Sequence, residues 1–226
     1  MVIPRLGLSH RRRLPVFYVL NSTYRLDQAL KLMFLTRKWK IIKDGEIVEL
    51  EYDGTTRLCL LRESASLTLN EWHIWQKHYL PSFSLKNKSV LDVGAGCGET
   101  AFLYFLHGAK KVIAVEPNVK AVKCLKENAQ RNKWDVEIIA EHFSLEHLKF
   151  DYDFMKMDGE GCEELLLQLP KINKPSIVEV HSNELLSEFE RRGWIKIYSM
   201  TKNVHLMVNF NGYTHKGVLA GLYLLC

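Results

Sequence analysis

The chain lacks any run of about 18 apolar residues, so no membrane-spanning helix is expected. It has no C-x-x-C pair. Its five cysteines, Cys59, Cys97, Cys124, Cys162 and Cys226, are odd in number and irregular in spacing. That excludes a disulfide framework or a structural zinc site and fits a reducing, cytoplasmic compartment. His73 and His78 are five positions apart, as are His142 and His147, so the i, i+4 pairing of helical zinc ligands is missing. No internal repeat or low-complexity segment is visible. The early apolar run "LPVFYVL" is short and is followed by no small-residue cleavage site, so no secretory leader is expected.

What is present reads as globular. The 226 residues are 47% apolar and 25% charged, which suits one domain with a modest appendage. The formal net charge is +5. Lys and Arg are scattered, except at Arg11, Arg12 and Arg13 and in "TRKWKIIK". Either a solvated basic surface or a nucleic-acid footprint accounts for them.

The character changes near residue 85, which divides the chain into an N-terminal extension over 1–84 and a domain over 85–226. In the extension, Tyr24–Trp39 has helical apolar spacing. Two Asp-Gly pairs, Asp44-Gly45 and Asp53-Gly54, predict hairpins. A short helix is expected over Asn70–Tyr79, with Trp72 and Trp75 on a face that covers the acceptor pocket. After residue 85, strands alternate with helices. Strands are expected at 90–93, 112–115, 136–140, 154–157 and 177–180, and helices at 101–107, 118–132, 162–169 and 185–192. Two late strands, 194–200 and 204–210, have no helix between them and should pair antiparallel. This rhythm predicts an α/β fold with a mostly parallel sheet wrapped by helices, binding its ligand at the carboxyl ends of the strands.

The segment "SVLDVGAGCGET" runs from strand to glycine loop to helix. Its G-x-G-x-G spacing differs from the dinucleotide fingerprint, and Asp92 stands two residues before Gly94. That arrangement suits a cationic nucleoside ligand without pyrophosphate, namely S-adenosylmethionine, with Asp92 toward its cationic end. Glu116, just past the second strand in "VIAVEPN", is placed to accept the ribose hydroxyls. The expected cofactor face is Asp92, Gly94, Ala95, Gly96, Gly98, Glu99, Thr100, Glu116, Pro117 and Asn118.

"VLDVGAGCGET" followed by "KKVIAVEPN" resembles the first two motifs of class I S-adenosylmethionine-dependent methyltransferases. "DYDFMKMDGEGCEELL" resembles the lysine-x-aspartate-x-glutamate-glycine signature of the FkbM-type family, and "SIVEVHSNE" is similar to its next strand. The resemblance implies a Rossmann-like sheet of seven strands with one antiparallel. It also implies that Glu141 and His142, beyond the third strand, touch the adenine. Asp158, Glu160 and His181 follow the fourth and fifth strands. They are the candidate catalytic groups, with His181 suited by its ordinary pKa to a base near neutrality. Asp158 and Glu160 could instead attract a divalent ion, although no metal ligand set is predicted. Lys156 reads as structural. There is no N-P-P-[YFW] after the fourth strand and no P-C dipeptide, which leaves oxygen methylation by elimination. The expected activity is therefore O-methylation of a small-molecule or sugar hydroxyl. The rivals are a tRNA or rRNA methyltransferase and a non-catalytic nucleoside-binding module.

Overall fold

The computed structural model describes residues 37–209. The Arg11–Arg13 cluster and residues 24–36 of the expected first helix lie outside them. Three strands come first: β1 (Trp39–Lys43), β2 (Ile47–Tyr52) and β3 (Thr56–Leu61). They pair antiparallel in chain order, turning at the two Asp-Gly pairs. β3 passes directly into α1 (Arg62–His78). This helix starts eight residues earlier than expected. Its first half, "RESASLTL", is rich in Ser and Thr and reads poorly as helix. Ala65, Thr68, Leu69, Trp72 and Trp75 are nonetheless buried along one stripe, so packing overrides propensity.

The second sheet alternates with helices. Its elements are β4 (Ser89–Val93), α2 (Glu99–Leu106), β5 (Lys111–Val115), α3 (Val119–Asn132), β6 (Val136–Ile139), β7 (Phe154–Met157), β8 (Ser176–Val180), α4 (Asn183–Arg191), β9 (Ile195–Ser199) and β10 (His205–Val208). The order across the sheet is β6-β5-β4-β7-β8-β10-β9. β10 runs antiparallel to both β8 and β9, while the other described pairings are parallel. This is the seven-stranded sheet with one antiparallel strand that the resemblance implies. The chain order reverses direction between β4 and β7, where such sheets bind ligands.

Alternation along each strand feeds two cores. Val90, Phe154, Ile177 and Leu206 face the three-stranded sheet and α1 to α3. Leu91, Met155, Val178 and Met207 face α4 and the short 3₁₀ segment Cys162–Gln168. An aromatic cluster joins the two sheets: Trp72 stacks on Phe102 at 5.3 Å, and Trp39 meets Trp72 edge-on at 5.1 Å. Among the described residues no helix is long and apolar enough to cross a membrane.

One buried side chain connects the three-stranded sheet to the glycine loop. Asn128 on α3 accepts from the Cys59 N–H at 2.6 Å and donates to the Cys59 and Cys97 carbonyls, both at 2.8 Å. It is fully buried, so truncation leaves three main-chain groups without partners or water. Asn128→Ala should cost roughly 2–4 kcal/mol, read as a lower midpoint in urea unfolding at unchanged slope. An unchanged midpoint would remove Asn128 from this role.

Candidate functional site

The glycine loop leaves β4 between β5 and β7. Gly94 and Gly96 have φ of +69° and +55°, values that favour glycine. What excludes side chains is the protein itself. A Cβ on Gly94 would lie 1.8 Å from the Asp158 carbonyl oxygen, and one on Gly96 would lie 2.9 Å from Glu99 Oε1. The loop's N–H groups are also engaged. Gly94 and Ala95 donate to the Val115 carbonyl, Gly98 to that of Ala95, and Gly96 to Glu116 Oε2 at 2.8 Å.

Glu116 therefore organises the loop. Its Oε1 accepts from the Asn118 N–H at 2.8 Å, so each oxygen holds one main-chain donor and keeps a second lone pair. Those lone pairs are what a ribose diol needs. Asn118 caps α3, its side chain accepting from the Lys120 and Ala121 N–H groups. Pro117 beside it is exposed. Further along the same rim, Glu141 meets the buried His147 ring at 2.8 Å, and His142 is exposed.

Asp92 is deeper than expected. It is fully buried, with Thr100 Oγ1 donating to it at 2.6 Å and Lys156 Nζ 3.4 Å away. Lys156, from β7, is itself buried. Its ammonium donates to the Gly94 carbonyl at 3.0 Å and stands 3.9 Å from Asp158. Burial pulls the Lys156 ammonium down, but Asp92, Asp158 and Glu179 together hold it above the ordinary lysine value. Glu99, at the start of α2, is buried with Oε2 unpartnered, and that burial pushes it up to about 7.

Beyond this pair the carboxyl ends of β7 and β8 form an acidic opening. Tyr79, just past α1, donates its hydroxyl to Glu179 and lies 3.4 Å from Asp158. The His181 ring stands 3.1 Å from Glu163 through Nδ1. Its Nε2 is 3.5 Å from both Asp158 and Glu179. Hydrogen bonding to Asp158, Glu163 and Glu179 raises the imidazole to about 12. These three carboxylates favour the imidazolium form of His181. Burial pushes Asp158 up, but Lys156, His181 and the Tyr79 hydroxyl together hold it below the usual carboxylate range. Glu160 is exposed at φ +52°. Ligand atoms of Asp158, Glu160 and His181 lie within 4.8 Å of one another, so the structure does bring the three expected residues together.

Sequence reasoning missed Glu71, Tyr79 and Glu163. Glu71, half-buried on α1, is raised to about 7 by burial and by the charges of Glu179 and Asp158. Its only sequence signal was the eight-residue spacing to Tyr79, two turns along one helix face.

A family model for ribosomal protein L11 methyltransferase matches residues 54–155. A ribosomal protein L11 methyltransferase of Thermosipho africanus is 34% identical over 170 residues, covering 73% of this chain and 65% of that protein. One of Aquifex aeolicus is 32% identical over 157 residues, covering 67% and 57%. The chain thus spans less than two thirds of the length of either relative. The crystal structure of M. jannaschii TYW2 in complex with AdoMet aligns at TM-score 0.49 and 17% identity, over 75% of this chain and 86% of that one. These findings correct two expectations. The family match and both relatives carry the ribosomal-protein name and not the FkbM-type one. The substrate they name is a protein, which overturns the small-molecule or sugar hydroxyl as acceptor.

Lys156 is the testable centre of this geometry. Lys156→Met leaves Asp92 buried without its counter-charge and should destabilise the fold by about 3–5 kcal/mol. Adding Asp92→Asn should recover part of that loss. Equal stability of wild type and the single variant would contradict the pairing.

Proposed function

We propose that this chain, a class I S-adenosylmethionine-dependent methyltransferase, transfers the methyl group to a nitrogen of a protein substrate. The observation that carries this reading is the charge of the opening. Asp158 and Glu179 meet there beside Glu71, with Tyr79 and His181 holding the first two and the fully buried Glu163 behind the His181 ring. Such a pit favours an acceptor that brings positive charge or N–H donors. The names of the relatives support a protein as the carrier of that nitrogen.

S-adenosylmethionine supplies an already activated methyl group, so the protein's tasks are to position and to manage a proton. Glu116 would hold the ribose, and Glu141 and His142 the adenine side. Asp158 would face the cationic part of the ligand. A boundary near residue 85 would then separate the cofactor domain from an extension whose described part, residues 37–84, covers the acceptor side, with Tyr79 as its contact to the reacting groups.

Two measurements test this. Calorimetry should show S-adenosylhomocysteine binding, weakened by Glu116→Ala by about 1.5–3 kcal/mol. With methyl-labelled cofactor, label should enter ribosomal protein L11 and not bulk RNA. Label in RNA would overturn the protein acceptor, and no binding of S-adenosylhomocysteine would overturn the cofactor site.

A further inference from the structure

S-adenosylmethionine carries two positive centres, the sulfonium and the α-ammonium of its methionine part. With Glu116 on the ribose and Asp158 facing the sulfonium, the ammonium still lacks a counter-charge. Asp92 is occupied: Thr100 Oγ1 donates to one oxygen at 2.6 Å, and the Lys156 ammonium stands 3.4 Å from the other. Glu99 differs. It is the first residue of α2, only 7% exposed, and its Oε2 is buried with no hydrogen-bond partner. The place of that carboxylate is set by Gly96. A Cβ there would lie 2.9 Å from Glu99 Oε1 and 3.2 Å from Oε2, so the carboxylate faces the space that a side chain would fill. The N–H of the same glycine donates to Glu116 Oε2 at 2.8 Å.

From this placement we propose that Glu99 binds the α-ammonium of the cofactor's methionine part through Oε2. The proposal rests on the ribose being held at Glu116, and it is independent of what the acceptor is. A ligand gripped by Glu116 has a single loop residue, Gly96, between it and Glu99. The absent side chain at that residue is what leaves the carboxylate open to the ligand. An ammonium brings three donors and a positive charge, so it meets both needs of a buried carboxylate at once.

The surroundings of Glu99 fit this role. Burial is the largest influence on the carboxyl and pushes it up to about 7, with Asp92 adding to the push. Its own N–H, the Cys97 N–H and the Lys156 ammonium act the other way and favour the ionised form. Lys156 does not complete the site, because its ammonium is held by the Gly94 carbonyl, Asp92 and Asp158. A cation from the ligand is therefore the missing partner of a buried acid. An acid that serves only the N-terminus of α2 accounts for neither feature, since that role needs no burial and no glycine opposite.

The test is calorimetry on the full chain with three ligands. S-adenosylhomocysteine has the whole amino-acid end, and 5′-methylthioadenosine has a methyl group in its place. The third ligand is S-adenosylhomocysteine with hydrogen replacing the α-amino group. Glu99→Gln should weaken S-adenosylhomocysteine binding by about 10–100-fold. It should leave 5′-methylthioadenosine binding unchanged, which also shows that the variant keeps its fold and its nucleoside pocket. The deaminated ligand keeps only the carboxylate, so the variant should bind it as tightly as wild type or more tightly. Equal S-adenosylhomocysteine affinity in wild type and variant overturns the assignment. So does a loss of the same size for all three ligands, which would make Glu99 structural. Should Glu99→Gln not fold, wild type alone still decides: it should prefer S-adenosylhomocysteine to the deaminated ligand by about 10-fold or more. Equal affinities overturn the ammonium site. Wild type that binds none of the three overturns the cofactor site itself, and the role of Glu99 with it.

Discussion

The buried Lys156 ammonium is the interaction on which the site depends. It sits where β4 and β7 run side by side, and it touches both strands' exits at once. The Gly94 carbonyl, Asp92 and Asp158 all face it. Taking a lysine and an aspartate out of water is costly, and their attraction compensates only if the geometry is held. The geometry is held from three sides. Thr100 fixes Asp92, and the β4–β7 pairing sets Asp92 opposite Lys156. The missing side chain at Gly94 lets the Asp158 main chain approach the loop. A change at any of these points would move the carboxylate that borders the acceptor opening.

The same logic extends outward. His181 is a cation because three carboxylates from three separate segments surround it. It lies against Asp158, Glu163 and Glu179 and offsets part of their charge. Tyr79 brings α1 into this network, so the N-terminal strands and helix support the reacting end as well as the core. Asn128 does the same for the loop from the other side, through Cys59 and Cys97. The cofactor loop is thus clamped between β5, β7, β3 and α3 before any ligand arrives.

Much of this was legible locally. The glycine spacing, Asp92 and Glu116 are contiguous signals, and the alternation of strands and helices predicts a mostly parallel sheet, while the seven strands with one antiparallel came from the family resemblance. One local reading went wrong for a physical reason. The start of α1 was missed because its Ser- and Thr-rich turn is helical only through burial of Ala65, Thr68 and Leu69. The surroundings of His181 were not legible, because Asp158, Glu163 and Glu179 meet it only through tertiary packing. The pairing of Asp92 with Lys156, sixty-four positions away, was not legible because only the sheet register brings the two together. The acceptor class was the least legible, because elimination from absent motifs says nothing about the charge of a pocket assembled from residues 71, 79, 158, 163, 179 and 181.

The most direct measurement is a crystal structure of the full chain with S-adenosylhomocysteine. The account predicts the ribose hydroxyls on Glu116 with its bonds to Gly96 and Asn118 retained, and the sulfur turned toward the opening bordered by Asp158, Tyr79 and Glu71. A ribose placed away from Glu116, or a sulfur facing the β6 edge of the sheet, would contradict it.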